Sequence, residues 1–310
     1  MTTSVALCTY NGEEFLSLQL DSILNQTVMP DEIVICDDVS DDSTIKTVLE
    51  YQKKFPIIKL FQNEKNLGFI KNFEKAIYNC TKEVIIISDQ DDTWEIDKVE
   101  TVVSFLKKNE NFDGVFHDMN LIDEHQTQPS YLNWKSISHQ EISLSIKEGR
   151  LLSMIVSKGS FILGCALSIR KESIKKYDIK NFPYAHDLFI AQKLSAYQKL
   201  GFIPKTLSNY RLHANQVYGL RYQSENKEPE KLSTNQYYFK EFVWANLNVV
   251  KKHEELRPQD DVRNTQIFST FIRHRNSYLG KLPFVQRKVY IAKCARHHYL
   301  YLNWLDLFKF

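Results

Sequence analysis

Val84-Ile85-Ile86-Ile87-Ser88-Asp89-Gln90-Asp91-Asp92-Thr93-Trp94 is an apolar run that ends abruptly in three carboxylates. Four β-branched residues in a row suit a strand buried on both faces, as in a parallel sheet. At the carboxyl end of such a strand, side chains leave the core and enter the crevice where α/β proteins bind ligands. Asp89, Asp91 and Asp92 repel one another there unless a cation sits among them, and hard oxygen ligands suit Mg²⁺ or Mn²⁺. The plain alternative is an acidic turn without function, and the rest of the chain weighs against it.

Upstream, strand and helix patterns alternate. Residues 5–8, 32–36, 57–61 and 83–88 read as strands. Between them, Leu16, Leu20, Ile23 and Leu24 recur at helical spacing, as do Phe69, Phe73 and Ile77 within a helix over 68–80; a further helix is expected over 97–108. Asn11, with Glu14 three residues on, predicts a capping box, and Asp42 or Ser43 a second cap. This order predicts βαβ units and an α/β fold, a mostly parallel Rossmann-like sheet flanked by helices. Beyond Asp118 the alternation lapses into a polar stretch, 119–150, expected to be a long loop with short helices. A strand is expected over 161–170, a helix over 186–200 and a short strand over 206–211. A charged segment, 223–231, marks a boundary between a domain at 1–220 and a helical extension at 221–310.

The 310 residues are 43% hydrophobic and 25% charged, ordinary for a globular protein, and the net charge of +2 gives no reason to expect nucleic acid as a partner. Cys8, Cys36, Cys80, Cys165 and Cys294 are scattered, without a CxxC pair, as reduced thiols of a cytoplasmic protein would be. Neither a signal peptide nor a membrane-spanning run is read.

Polar groups recur at four successive strand-to-helix junctions. They are Thr9-Tyr10-Asn11-Gly12-Glu13, Asp37-Asp38-Val39-Ser40-Asp41-Asp42-Ser43-Thr44, Asn66-Leu67-Gly68 with Lys71-Asn72, and the Asp89 cluster. Acids alone would make a solvated rim; acids with a lysine, an asparagine and helix N-termini suit a nucleotide diphosphate and a metal. Together with Leu24-Asn25-Gln26-Thr27, His186-Asp187 and Tyr210-Arg211-Leu212-His213, this series resembles family 2 glycosyltransferases of the GT-A fold over residues 4–217. The Asp-Gln-Asp-Asp-x-Trp and His-Asp forms are similar to the bacterial rhamnosyltransferase-like branch, whose members build surface polysaccharides.

The resemblance implies roles. Asp38 would hold the pyrimidine, helped by backbone near Cys8 and Tyr10, with Asn11, Asn66 and Lys71 also on the nucleotide-sugar side. Asp91 would ligate the cation, Mn²⁺ or Mg²⁺, with Asp89 on the ribose or the metal shell and His213 completing that shell. Arg211 would contact the diphosphate, and Asp187 would be the general base of an inverting transfer. Several readings stay open: Glu13 as donor contact or first-turn acid, Trp94 as packing residue or sugar platform, His186 as orienter of the base or acceptor contact. The implied partners are a nucleotide-diphosphate sugar, rhamnose from its deoxythymidine diphosphate being the first choice, and a lipid-linked saccharide or glycan acceptor. The basic, aromatic stretch within 221–310 suits packing, a homodimer contact or docking at the inner face of the cell membrane. A metal-dependent phosphohydrolase or nucleotidyltransferase, or an inactive nucleotide-sugar-binding scaffold, remain the alternatives.

Overall fold

A computed structural model describes residues 1–123, 127–158 and 161–213, together with 283, 284 and 288. The expected boundary at 220 and the character of 221–310 lie outside these residues, apart from those three positions.

The first half runs β1 (Thr3–Thr9), α1 (Leu16–Leu24), β2 (Glu32–Asp37), α2 (Thr44–Lys54), β3 (Ile58–Gln62), α3 (Phe69–Asn79), β4 (Val84–Ser88), β5 (Thr93–Trp94) and α4 (Lys98–Lys108). The second half runs β6 (Gly114–Ile122), β7 (Thr127–Gln128), α5 (Tyr131–Trp134), α6 (His139–Lys147), α7 (Leu151–Lys158), a 3-10 turn (Gly164–Ala166), β8 (Leu167–Arg170), α8 (Lys171–Lys176), α9 (His186–Ala196) and β9 (Leu200–Arg211). All the strands join one sheet in the order β3-β2-β1-β4-β8-β6-β9-β5, with β7 on β6.

The β3-β2-β1-β4 half is parallel throughout. Beyond it β8 runs antiparallel to both β4 and β6, and β5 antiparallel to β9, while β6 and β9 are parallel. The sheet is therefore mixed, with its parallel half where the βαβ pattern was read. Strand alternation distributes the core between two faces. Val5 and Leu7 of β1 pack with Ile33, Ile35, Ile86 and helices α1 and α4. Ala6 and Cys8 pack with Val34, Ile85, Ile87 and helices α3 and α9. With both faces covered, Val84, Ile85, Ile86 and Ile87 have no exposed surface, as the unbroken apolar run required. Truncating one of them to alanine should cost about 2–5 kcal/mol.

Three local expectations are corrected. The capping box at Asn11 does not form: Asn11 sits at φ 48°, its Oδ1 accepts from the Asp41 N–H, and α1 begins only at Leu16. Only Leu167–Arg170 of the expected 161–170 strand is extended along the sheet, because residues 164–166 turn. The last strand is twice its expected length. It starts at Leu200 and tolerates Pro204 because the β6–β9 register skips from His117↔Ile203 to Asp118↔Thr206, placing the proline in a bulge.

Candidate active site

Parallel register fixes where the junctions meet. Thr9 pairs with Asp37 and Leu7 with Ser88, so the loops after β1, β2 and β4 leave one edge of the sheet together. Gln90 ties two of them: its Oε1 accepts from Tyr10 N at 2.9 Å and its Nε2 donates to Tyr10 O at 3.0 Å. Gly12 lies against this amide, and a Cβ there would collide with it.

The loop after β2 is built by its own acids. Asp37 accepts from Thr9 Oγ1, Ser40 Oγ and Ser40 N, forming the turn. Asp38, only 3% exposed, accepts from Asn63 Nδ2 (2.8 Å), Leu67 N (2.7 Å) and Gly68 N (2.8 Å). Asn66 Nδ2 donates to Asp38 O, and Gly68 takes φ 78°, a conformation that glycine adopts without steric cost. Asp38 thus organises the loop that starts α3, and its Oδ2 carries a single bond, leaving acceptor capacity on that oxygen. Between Asp38 and Ser40, Val39 sits at φ 69°, an outlier for a β-branched residue.

The acid cluster follows β4. Asp92 has no exposed surface; its Oδ1 accepts from Arg211 N at 3.1 Å, and its Oδ2 has no hydrogen-bond partner among the described residues. Ligand atoms of Asp89, Asp92 and Cys165 lie within 4.8 Å of one another. Burial and then the Asp91 charge push the Asp92 carboxyl up to about 7. Asp89 is raised well above the carboxylate range by burial and by the charges of Asp92, Asp91 and Asp187. Asp91 Oδ2 meets His213 Nε2 at 2.9 Å. Arg211 Nε donates to Asp91 O at 2.9 Å while its guanidinium lies 4.7 Å from the centre of the Phe15 ring. Asp91, Asp92, Arg211 and His213 are therefore brought together, joining the turn after β4 to the end of β9.

Asp187 stands at the start of α9, with Leu188 N donating to its Oδ1 at 2.6 Å. Burial raises its carboxyl to about 6 even though the Leu188 and Gly164 amides oppose the shift. Its charge is among those that raise Asp89, so the two carboxyls are near enough to interact. A carboxylate with a pKa near neutrality is matched to proton abstraction.

Other expected residues are engaged within the fold. Glu13 Oε2 accepts from Ser43 N and so serves the start of α2. Lys71 pairs with Glu74 at 2.6 Å, in a cleft of about 460 Å³ that it shares with Lys75, Tyr78 and Lys180. Cys8 is buried, and burial pushes its thiol pKa up. Trp94 is a packing residue: it is buried, with Lys98 Nζ 4.0 Å from its ring centre.

Lys98 itself escaped the sequence reading. It has no exposed surface, and its Nζ donates to Cys165 O (2.7 Å) and Ser208 Oγ (2.9 Å). Burial lowers its pKa to about 7, against the opposing charges of Asp92 and Asp89. A buried ammonium beneath three carboxylates offsets part of their charge.

The donor set fits a divalent cation. The group whose ligand atoms lie within 4.8 Å of one another is Asp89, Asp92 and Cys165, with the Asp91–His213 pair outside it; the carboxylate oxygens, including the unpartnered Asp92 Oδ2, are hard ligands of the kind Mn²⁺ or Mg²⁺ takes.

Comparison with known proteins agrees. Residues 4–178 match the family Glycosyl transferase family 2. An uncharacterized glycosyltransferase from Haemophilus influenzae is 27% identical over 236 residues, covering 74% of this chain and 71% of its own. The Escherichia coli UDP-Glc:alpha-D-GlcNAc-diphosphoundecaprenol beta-1,3-glucosyltransferase WfgD is 28% identical over 139 residues, 45% of this chain and 54% of WfgD. Among solved structures, S. aureus TarS 1–349 in complex with UDP-GlcNAc superposes with a TM-score of 0.63 at 19% identity, covering 96% of this chain and 80% of that one. That similarity shows a shared GT-A-like fold. A matched stretch of more than half the chain, with the acid cluster at the carboxyl edge of the sheet, places this protein in glycosyl transferase family 2.

Proposed function

We propose that this chain is an inverting, divalent-metal-assisted glycosyltransferase. It takes a sugar from a pyrimidine-diphosphate donor and passes it to a lipid-linked saccharide or growing polysaccharide in bacterial surface-glycan synthesis. The observation that carries this reading is the presence of Asp187, raised to about 6, within electrostatic reach of Asp89 in the cluster that also holds Asp91, Asp92 and His213.

Asp38 Oδ2 receives the pyrimidine N–H, and the backbone near Cys8 and Tyr10 borders the base. Asp91, His213 and Asp89 would hold the cation, which when bound offsets the charge that builds on the leaving diphosphate. Arg211, anchored through its Nε on Asp91 O, has terminal guanidinium nitrogens to present to a phosphate oxygen. Asp187 takes the proton of the acceptor hydroxyl as that oxygen bonds to the anomeric carbon. The bond from that carbon to the diphosphate oxygen breaks on the opposite side, so configuration inverts and the nucleoside diphosphate departs with the electron pair. Rhamnose from its deoxythymidine diphosphate is the first donor to try, on the His-Asp and Asp-Gln-Asp-Asp forms. The E. coli relative's printed activity makes UDP-glucose with a GlcNAc-diphospholipid the second. No helix among the described residues is long and apolar enough to cross a membrane.

The test is an assay of nucleoside diphosphate release from dTDP-rhamnose and UDP-glucose with Mn²⁺ and a synthetic GlcNAc-diphospholipid. Release that requires acceptor, with a new glycosylated lipid, supports the transferase reading. Sugar phosphate or inorganic phosphate appearing without acceptor would replace it with a phosphohydrolase.

A further inference from the structure

The mechanism makes no use of His186, yet this ring occupies a costly position. It is 5% exposed, and neither Nδ1 nor Nε2 has a hydrogen-bond partner among the described residues. A buried polar group left unpaired is costly and calls for an explanation.

Packing supplies one. On one side the imidazole stacks on Phe73 of α3, with ring centres 3.9 Å apart and planes 23° apart. At its Nε2 edge it fills the space that a side chain at residue 164 would need: a Cβ on Gly164 would lie 2.5 Å from His186 Nε2. The Gly164 amide in turn acts on the Asp187 carboxylate. Phe73, His186, Gly164 and Asp187 therefore form a continuous stack from α3 to the carboxylate. Burial pushes the His186 pKa down to about 3, so the ring is neutral and lends Asp187 no charge.

We propose that His186 is a positioning residue for Asp187, acting by shape: clamped between Phe73 and Gly164, its ring fixes the start of α9 and with it the direction of the carboxylate. The inference rests on Asp187 being the base. It accounts for Gly164, since any larger residue would evict the ring. It also gives the His-Asp pair a division of labour, one side chain seating the other.

Two readouts test it in the full chain. In turnover with the donor and acceptor found above, H186A and G164A should each lower kcat at least tenfold while leaving the donor KM unchanged, and H186F should recover most of the loss. Independently of any substrate, ¹³C NMR of aspartate carboxyls should show Asp187 titrating near its wild-type value in H186F. In H186A and G164A it should fall toward the ordinary carboxylate range as water enters. An H186F variant as impaired as H186A, with the Asp187 titration unmoved, would overturn the proposal and make a ring nitrogen the working group. Full activity in D187N alongside the predicted NMR shifts would instead leave the seat standing and remove the base assignment.

Discussion

The two edges of the parallel half-sheet treat buried acids in opposite ways. At the amino edge, Glu32 is 1% exposed and fully engaged. It accepts from Ser4 Oγ, Lys59 Nζ, Thr81 N and Thr81 Oγ1. Burial raises its pKa, but these bonds more than reverse the shift and bring it down to about 2. At the carboxyl edge, burial of Asp92 is only partly answered, one oxygen is orphaned, and the carboxyl rises to about 7. The first acid fastens the ends of neighbouring strands, from Ser4 of β1 to Lys59 of β3. The second has its burial answered only in part, by the Arg211 amide and the charge of Lys98. A buried acid is thus diagnostic of a site when its bonds fall short of its burial.

Four perturbations sharpen that contrast. The largest effect should come from D187N, which keeps shape but cannot take a proton: kcat should fall about 10²–10⁴-fold, while the melting temperature at pH 7.5 should not fall, because the amide carries no buried charge. Steady-state kinetics beside a melting curve reads both. E32Q should do the reverse. Losing the Lys59 pair and an anionic acceptor should cost about 2–3 kcal/mol, discounted for the half-exposed lysine, with KM and kcat unaltered. Chemical denaturation measures it, and an activity loss in E32Q without destabilisation would blur the two edges.

How much of this was legible in the sequence follows the same line. The strand ends at Thr9, Asp37 and Ser88 were written in apolar runs that stop at polar residues, and parallel pairing brought them together. Asp89, Asp91, His213 and Asp187 could be named because ordered motifs carry them. Lys98 could not, because on the sequence it is one charged residue near a helix start, and burial is a property of what packs over it. Gly164 was read as part of a strand, because nothing local says that a histidine 22 positions later will need its missing Cβ. Asn11 looked like a cap because its spacing to Glu14 was right, but Asp41, 30 residues away, claimed its side chain. The antiparallel half of the sheet was missed where β6 carries His117, Asp118 and Asn120. Asp118 there is buried among Ser130, His139 and backbone amides, a polar network that masks the strand pattern.

The third perturbation is D91N. It should abolish the part of nucleotide stabilisation that depends on Mn²⁺, worth about 2.7 kcal/mol at a hundredfold excess over the dissociation constant. The fourth is pH. Asp187 and Asp92 have folded pKa values raised to about 6 and about 7 from 3.8. Their contribution to stability is full below 3.8 and is lost as pH rises through 6 to 7. Glu32 runs the other way: its contribution is full above 4.5 and is lost as pH falls through about 2. Between pH 4.5 and 7.5 the metal-free wild type should therefore lose a few degrees of melting temperature relative to D92N, while buried His186, held near 3, shifts both proteins in the opposite sense. Mn²⁺ should restore part of that loss at pH 7.5 and have little effect at pH 4.5. The same pH dependence in D92N and wild type without metal would show that Asp92 is not strained.

The most direct measurement is thermal melting of the full chain with UDP, dTDP, GDP and ADP, each with and without Mn²⁺. The account predicts stabilisation by a pyrimidine diphosphate that requires Mn²⁺, retained in D187N and lost in D91N. Stabilisation by none of the four, or an equal response from wild type and D91N, would contradict the claim that the acids at the carboxyl edge form a nucleotide and metal site.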